Sequence, residues 1–198
     1  MSIKMQLRKL LSIGAACSLV VGIPWAGAAL AADGDHSGPY LGIGVGWGFD
    51  DFDKTGGANI DTAFGFDAWG GYKFNKWVAT ELQLEYLNGF DGTVNKRDVE
   101  AQGVTFGANL KIFPLASIFN DRIQPFVMAG PGFTWIEVDV DALGKEDNLD
   151  FSARFGGGID LYSTDHIALQ FSSSYVLNTG GNKNGNYISL VLGISYKF

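Results

Sequence analysis

Eight segments of the chain carry apolar side chains at every second position, with small or polar residues between them. The pattern is clearest in the last segment, which ends at Phe198. Chain termini are usually polar and frayed, but here one parity stays apolar to the final residue. A period of two residues predicts β-strands with one apolar face. The predicted strands span residues 40–49, 64–74, 78–87, 103–113, 124–135, 149–162, 167–177 and 188–198.

The apolar face carries large aromatic side chains: Trp47, Phe64, Phe66, Tyr72, Phe74, Phe106, Phe133, Trp135, Phe155, Phe171, Tyr175 and Tyr196. A soluble eight-stranded barrel such as a lipocalin would point this face inward. The interior of such a barrel is only just wide enough for ordinary side chains, so this set does not fit inside. The aromatic face must therefore meet lipid. The sequence predicts an all-β fold, an eight-stranded antiparallel up-and-down transmembrane β-barrel.

The predicted connections alternate between short and long. Residues 75–76 and 163–166 form short turns, whereas 50–61, 88–98, 139–147 and 178–186 are long and polar. Short turns at one end and long loops at the other are typical of outer-membrane barrels. The connection 114–122 is longer than expected on the short side. In the fifth strand we predict that Val127, Ala129, Phe133 and Trp135 face outward, with a bulge near Pro131.

The N-terminus has the pattern of a secretory signal. Lys4, Arg8 and Lys9 precede an apolar core at 10–23, and small residues follow. Fourteen apolar residues are too few to span a bilayer. We predict a removable signal peptide at 1–31 and a barrel domain at 32–198. Lipoprotein processing at Cys17 is the less favoured alternative.

The predicted mature chain contains no cysteine, because Cys17 is the single one, and so no disulfide or thiolate metal site. Removing 1–31 removes three basic residues and no acids, which leaves 11 basic and 21 acidic residues and a net charge of −10. This balance argues against nucleic acid and against a polybasic contact with membranes.

Two stretches carry a resemblance to a known family: "IQPFVMAGPG" at 123–132 and the closing "GISYKF" at 193–198. The chain resembles the small eight-stranded outer-membrane barrels, the family of the OmpA transmembrane domain, OmpX and the opacity proteins. The resemblance implies a monomer in the outer membrane, with periplasmic termini, extracellular long loops, and contacts with outer-membrane lipid and lipopolysaccharide. It also implies a C-terminal signal that the barrel-assembly machinery reads, formed by Leu190, Leu192, Ile194, Tyr196 and Phe198.

The positions that alternate with the apolar ones are predicted to face the lumen. Among them are four acids and four bases: Asp67, Lys73, Glu81, Glu85, Lys111, Arg154, Asp160 and Lys197. Buried charges are tolerated when they are paired. We therefore predict a network of internal salt bridges that, together with an inward Trp69, fills the lumen. The alternative is a polar path for small solutes, although eight strands leave little interior space.

The sequence does not favour an enzyme. Barrels of this size that deacylate lipid A need a His-x-Ser pair, and neither His36 nor His166 has a serine two residues later. The acidic loops lack an Asp-x-Asp-x-Asp-Gly pattern, so a divalent cation site there is a weak candidate and no metal or cofactor is predicted. The predicted function is envelope integrity or surface-loop interaction, such as adhesion or contact with a host or ligand. A narrow porin-like channel is the alternative.

Overall fold

The computed structural model describes residues 36–50, 62–94, 97–115, 121–140, 144–179 and 185–198. The predicted signal peptide at 1–31 lies outside this range. So do most of the predicted first and last long loops.

Eight antiparallel strands close into one barrel, in which each strand pairs with its neighbours in sequence and β8 pairs with β1. The predicted fold class is therefore confirmed. The strands are β1 (Gly38–Asp50), β2 (Ala63–Asn75), β3 (Val78–Val94), β4 (Arg97–Ile112), β5 (Ile123–Val140), β6 (Gly144–Tyr162), β7 (Ile167–Asn178) and β8 (Tyr187–Lys197).

The two faces of the strands alternate as the sequence predicts. From Ala63 to Trp69 the odd-numbered residues of β2 are buried inside the barrel and the even-numbered ones are exposed on its outer wall. Phe66 is 63% exposed, whereas its neighbour Asp67 is 3% exposed. This arrangement inverts that of a soluble protein and suits a barrel surrounded by lipid. In the described residues no helix has the length and apolar character needed to cross a membrane.

Strands β3 to β6 are longer than the others and extend through two segments that the sequence predicts to be loops, 88–98 and 139–147. These two loop predictions are therefore wrong. Strands β3 to β6 contain 16 to 19 residues, whereas the other four contain 11 to 13. The ladders continue to Val94 opposite Arg97 and to Val140 opposite Gly144. The register of β3 against β4 shifts between Asn88 and Phe90 and then continues. A strand that has left the lipid no longer needs an apolar face, so the polar composition of 88–98 and 139–147 is compatible with strands as well as with loops.

The predicted bulge near Pro131 is also wrong. Strand β6 pairs with β5 in one register through Gly130, Pro131 and Gly132, and β4 keeps the same register against β5 on both sides of the proline. A Cβ added to Gly130 would lie 1.9 Å from the carbonyl oxygen of Ala108. The missing side chain lets β4 approach closely beside the proline, so no extra residue is inserted.

We call the end at which β1 begins and β8 ends the terminal end, and the opposite one the hairpin end. At the terminal end Asn75 Oδ1 accepts hydrogen bonds from the backbone N–H groups of Trp77 at 2.8 Å and Val78 at 3.0 Å. The pairing of β8 with β1 ends there, where Phe198 N–H donates to the Pro39 carbonyl at 3.1 Å. On the β7 side, Lys197 N–H donates to the His166 carbonyl at 2.7 Å.

Candidate functional site

The lumen is the part of the structure richest in chemistry. Seven of the eight predicted lumen charges are at most 8% exposed: Asp67, Lys73, Glu81, Glu85, Lys111, Arg154 and Asp160. The eighth, Lys197, is partly buried and lines a small cavity at the terminal end with Tyr40 and Tyr162. Strand alternation brings these side chains into one enclosed space from β2, β3, β4, β6 and β8.

Arg154 on β6 joins strands from across the lumen. Its Nη2 donates to Glu85 Oε2 at 2.9 Å, and its Nη1 donates to Ser174 Oγ at 3.0 Å. Ser189 Oγ on β8 donates to the same Glu85 oxygen at 2.9 Å. The guanidinium presents several N–H groups in a fixed plane, so one side chain connects β6 with both β3 and β7.

Lys111 on β4 forms the second buried ion pair. Its Nζ lies 2.6 Å from Glu81 Oε2 and also donates to Gln170 Oε1 at 3.1 Å. The Tyr40 hydroxyl donates to the same Glu81 oxygen at 3.1 Å. The ammonium of Lys111 also lies 4.3 Å from the centroid of the Phe126 ring, which is a cation–π contact.

Lys73 lies nearer to the terminal end. Its Nζ donates to Gln124 Oε1 and lies 4.2 Å from the centroid of the Phe113 ring and 5.8 Å from that of Tyr162. Aromatic faces therefore surround this ammonium within the barrel.

Neutral polar side chains, which the sequence analysis did not single out, connect the charges. Gln83 Nε2 donates to Asp67 Oδ1 at 2.6 Å, and Asn109 Nδ2 donates to Gln83 Oε1 at 3.0 Å. Thr105 Oγ1 lies 2.8 Å from the Tyr187 hydroxyl. All four share the lumen-facing parity of their strands, so the alternation itself was the signal that could have found them.

Trp69 occupies the lumen beside the closing seam of β1 and β8. A Cβ added to Gly42 would lie 2.2 Å from Trp69 Cε2, and one added to Gly193 would lie 2.4 Å from Trp69 Cη2. The glycines of β1 and β8 therefore provide the space that the indole fills. The inward direction predicted for Trp69 agrees with the structure, where it is buried.

Several buried polar atoms have no hydrogen-bond partner in the described structure: Asp67 Oδ2, Trp69 Nε1, Glu85 Oε1, Asn109 Oδ1, Arg154 Nε, Asp160 Oδ1 and Asn178 Oδ1. No group of three or more His, Cys, Asp or Glu side chains within the described ranges could hold a metal ion. Most of the acidic loop residues lie outside the part of the structure whose side chains are described. The weak candidate for a divalent cation site there is therefore untested.

Both histidines lie at the terminal end. His36 stacks on Tyr162, while His166 Nδ1 lies 3.1 Å from the Lys197 carbonyl and its ring stacks 5.8 Å from Tyr196. Ser173 points outward on β7. The described contacts of Ser173 include neither histidine ring, so they show no nucleophile–base pair at this serine.

The residues of the predicted assembly signal lie along the outer wall of β8. Leu192, Ile194, Tyr196 and Phe198 are exposed there, and Leu190 is partly exposed. The Tyr196 and Phe198 rings meet edge to face, with centroids 5.2 Å apart.

A family model described as the outer membrane protein beta-barrel domain matches residues 14–198. The chain belongs to this family. Membership places it in the outer membrane, as the aromatic outer wall indicates.

Relatives and solved structures agree with this membership. Outer membrane protein A of Escherichia coli O157:H7 is 29% identical over 170 residues, which cover 80% of this chain and 47% of the relative. The chain thus spans about half the length of the curated relatives it matches. Neisserial surface protein A has a TM-score of 0.64 at 14% identity, covering 82% of this chain and 98% of that one. Ail of Yersinia pestis has a TM-score of 0.58 at 14% identity, covering 82% and 99%.

Proposed function

We propose that this protein is a non-enzymatic outer-membrane barrel with a side-chain-filled lumen, serving envelope integrity or contacts made by its hairpin end. The observation that carries the proposal is the set of side chains that extend into the lumen. Two ion pairs, the amide chain from Asp67 to Asn109 and the Trp69 indole lie inside the eight strands, and we expect them to leave no open path. If the lumen is closed, the protein would act through contacts made by the exterior of the barrel.

The hairpin end offers a surface for such contacts. Strand β3 continues for six residues beyond Asn88, the last residue that pairs with β2. Strand β6 begins eight residues before Ser152, the first residue that pairs with β7. Strands β3 to β6 therefore extend as one sheet past the other four. With the termini in the periplasm, this extension points away from the cell.

The lipid-facing residues of β8 would serve a second role during biogenesis. We expect the outward series from Leu190 to Phe198 to be recognised by the barrel-assembly machinery. The assembled protein would be a monomer surrounded by lipid and lipopolysaccharide, because lipid contact satisfies its apolar outer wall without a protein partner.

A second candidate function is a narrow channel for small solutes. It is favoured by the buried polar atoms that lack partners in the described structure, since polar interior sites of this kind are commonly occupied by water. In such a channel, the charged side chains that line the path would form ion pairs with each other until a passing solute displaces one of the partners.

Planar-bilayer recording of the refolded protein separates these functions. A filled lumen should give no steady conductance, while Arg154→Ala should introduce leakage because a side chain that reaches across the lumen is removed. A steady open conductance that Arg154→Ala leaves unchanged would favour the channel. Arg122→Ala, an exposed cation before β5, is the control for a general loss of positive charge.

The non-enzymatic part of the proposal has its own test. Mass spectra of lipid A from cells with and without the protein should be identical. Loss of an acyl chain that depends on the protein would show a lipid-modifying activity.

A further inference from the structure

Residues 36 and 37, which directly precede β1, lie at the terminal end of the barrel, where the His36 ring contacts the end of β6. His36 is only 9% exposed, although it lies outside every strand. Its ring stacks on Tyr162 with centroids 3.9 Å apart and an interplanar angle of 17°. Tyr162 ends β6 and lines the terminal cavity with Lys73 and Lys197. The imidazole therefore lies against a residue that lines this cavity.

The backbone bends to bring it there. His36 has φ 43° and Gly38 has φ 127°, both outside the conformations that most residues prefer. Glycine adopts positive φ without a steric penalty. Immediately after the bend, the Pro39 carbonyl accepts a hydrogen bond from Phe198 N–H at 3.1 Å. The turn is thus anchored on the closing strand of the barrel.

Charged groups from several elements surround the His36 ring. Burial lowers the pKa of the imidazole below its ordinary value of 6.5, and the ammonium groups of Lys197 on β8 and Lys73 on β2 lower it further. Asp121, before β5, and the backbone of Asp165, in the turn after β6, act in the opposite direction with smaller effect. A proton on this ring would lie beside two cations.

We propose that residues 36 and 37 form a cap that closes the terminal mouth of the lumen while the His36 imidazole is neutral, and that protonation of this ring releases the cap. The device concerns the terminal end alone, so it does not depend on what the hairpin end binds.

The direction of the pH effect follows from linkage. Because the pKa of His36 is lower in the capped state than in the free tail, the released state binds more protons. The cap is therefore fully favoured above pH 6.5 and is lost as the pH falls through the lowered pKa of the capped ring.

The protein contains two histidines, which makes NMR of labelled imidazole rings in the refolded, detergent-solubilised protein a direct test. Substituting His166 by Gln removes the second signal. We expect the His36 signal to titrate below pH 6.5 and to lose its ring-current shift from Tyr162 over the same range. Titration at or above 6.5, or a protonated ring that stays on Tyr162, would overturn the proposal.

Two variants test whether the ammonium groups near His36 set the pH at which the cap is released. Lys197→Gln removes one repelling ammonium and should raise the pH at which His36 titrates and leaves. The matched control is Lys76→Gln, which changes a cation in the turn between β2 and β3 and should have no effect. An identical response to both variants would show that charge at the mouth plays no part.

His36→Phe tests the switch without altering the barrel. Phenylalanine can stack on Tyr162 but cannot be protonated, so the Tyr162 ring signals should stay unchanged through the acidic range. His36→Gln should show the released Tyr162 signals at every pH. If the Phe variant also released the cap in acid, another group would be the sensor and the proposal would fail.

Discussion

The two faces of each strand are held in place by different kinds of interaction. Phe66 on the outer wall of β2 has ring neighbours such as Phe64, 6.0 Å away, and otherwise meets lipid. Asp67, the next residue, faces the lumen and accepts a hydrogen bond from Gln83 at 2.6 Å. The outer position needs an apolar side chain, whereas the inner one needs a particular partner at a particular distance. Substitutions should therefore cost far more inside than outside.

Arg154→Ala should have the largest effect on stability. The change leaves the Glu85 carboxylate without its cation in a buried setting, and the loss of one partner from a buried ion pair costs about 3–5 kcal/mol. Urea unfolding of protein refolded into lipid vesicles measures this free energy. Arg122→Ala, on an exposed cation, should change it by less than about 0.5 kcal/mol. Equal effects of the two variants would contradict a structural lumen network.

Trp69→Ala should rank next, with a loss of about 3 kcal/mol, the low end for a buried aromatic because water can enter the vacated polar space. The same unfolding experiment measures it. Gly42→Ala sharpens the test. A methyl group there meets the indole at 2.2 Å, so Gly42→Ala should destabilise the parent protein but be tolerated in the Trp69→Ala background. Additive losses would show that the indole does not fill this space.

Deletion of Phe198 should affect assembly more than stability. The residue contributes one exposed ring that contacts Tyr196 edge to face, a pair worth about 0.5–1.5 kcal/mol. It also contributes the hydrogen bond from its N–H to the Pro39 carbonyl, worth about 0.5–1.5 kcal/mol. If Phe198 is part of an assembly signal, the amount of protein inserted in the outer membrane should fall several-fold at high expression. Phe198→Tyr, which keeps a terminal aromatic ring, is the control. Normal membrane levels of the truncated protein would argue against a signal.

Phe66→Leu should have the smallest effect, less than about 1 kcal/mol, because both side chains are apolar and lipid adapts to the change in shape. Unfolding in vesicles again provides the measurement. A loss of unfolding free energy comparable to that of Trp69→Ala would contradict the expectation that substitutions cost more on the lumen face than on the outer face.

Alternation was enough to predict the strands and their faces, because the side chains of a strand point to opposite sides with a period of exactly two residues. It was not enough to find the upper parts of β3 to β6. There the ladder continues to Val94 and Val140 through polar sequence, as we expect for strands that extend past the lipid. Composition therefore indicates where the apolar outer wall ends, but it does not indicate where the strands end.

The sequence by itself determined that eight strands close around a polar interior, because apolar aromatic residues at every second position are stable only against lipid. By parity alone it also placed eight charges on the inner face, seven of which are buried, although the buried Asp150 was not among them. Only the tertiary structure decided their partners: Arg154 with Glu85 across the lumen, Lys111 with Glu81 between neighbouring strands, and the His36 ring on Tyr162 at the mouth. Parity specifies the direction of a side chain, whereas a partner depends on strand register and on the closure of β8 against β1, which bring together residues far apart in the chain.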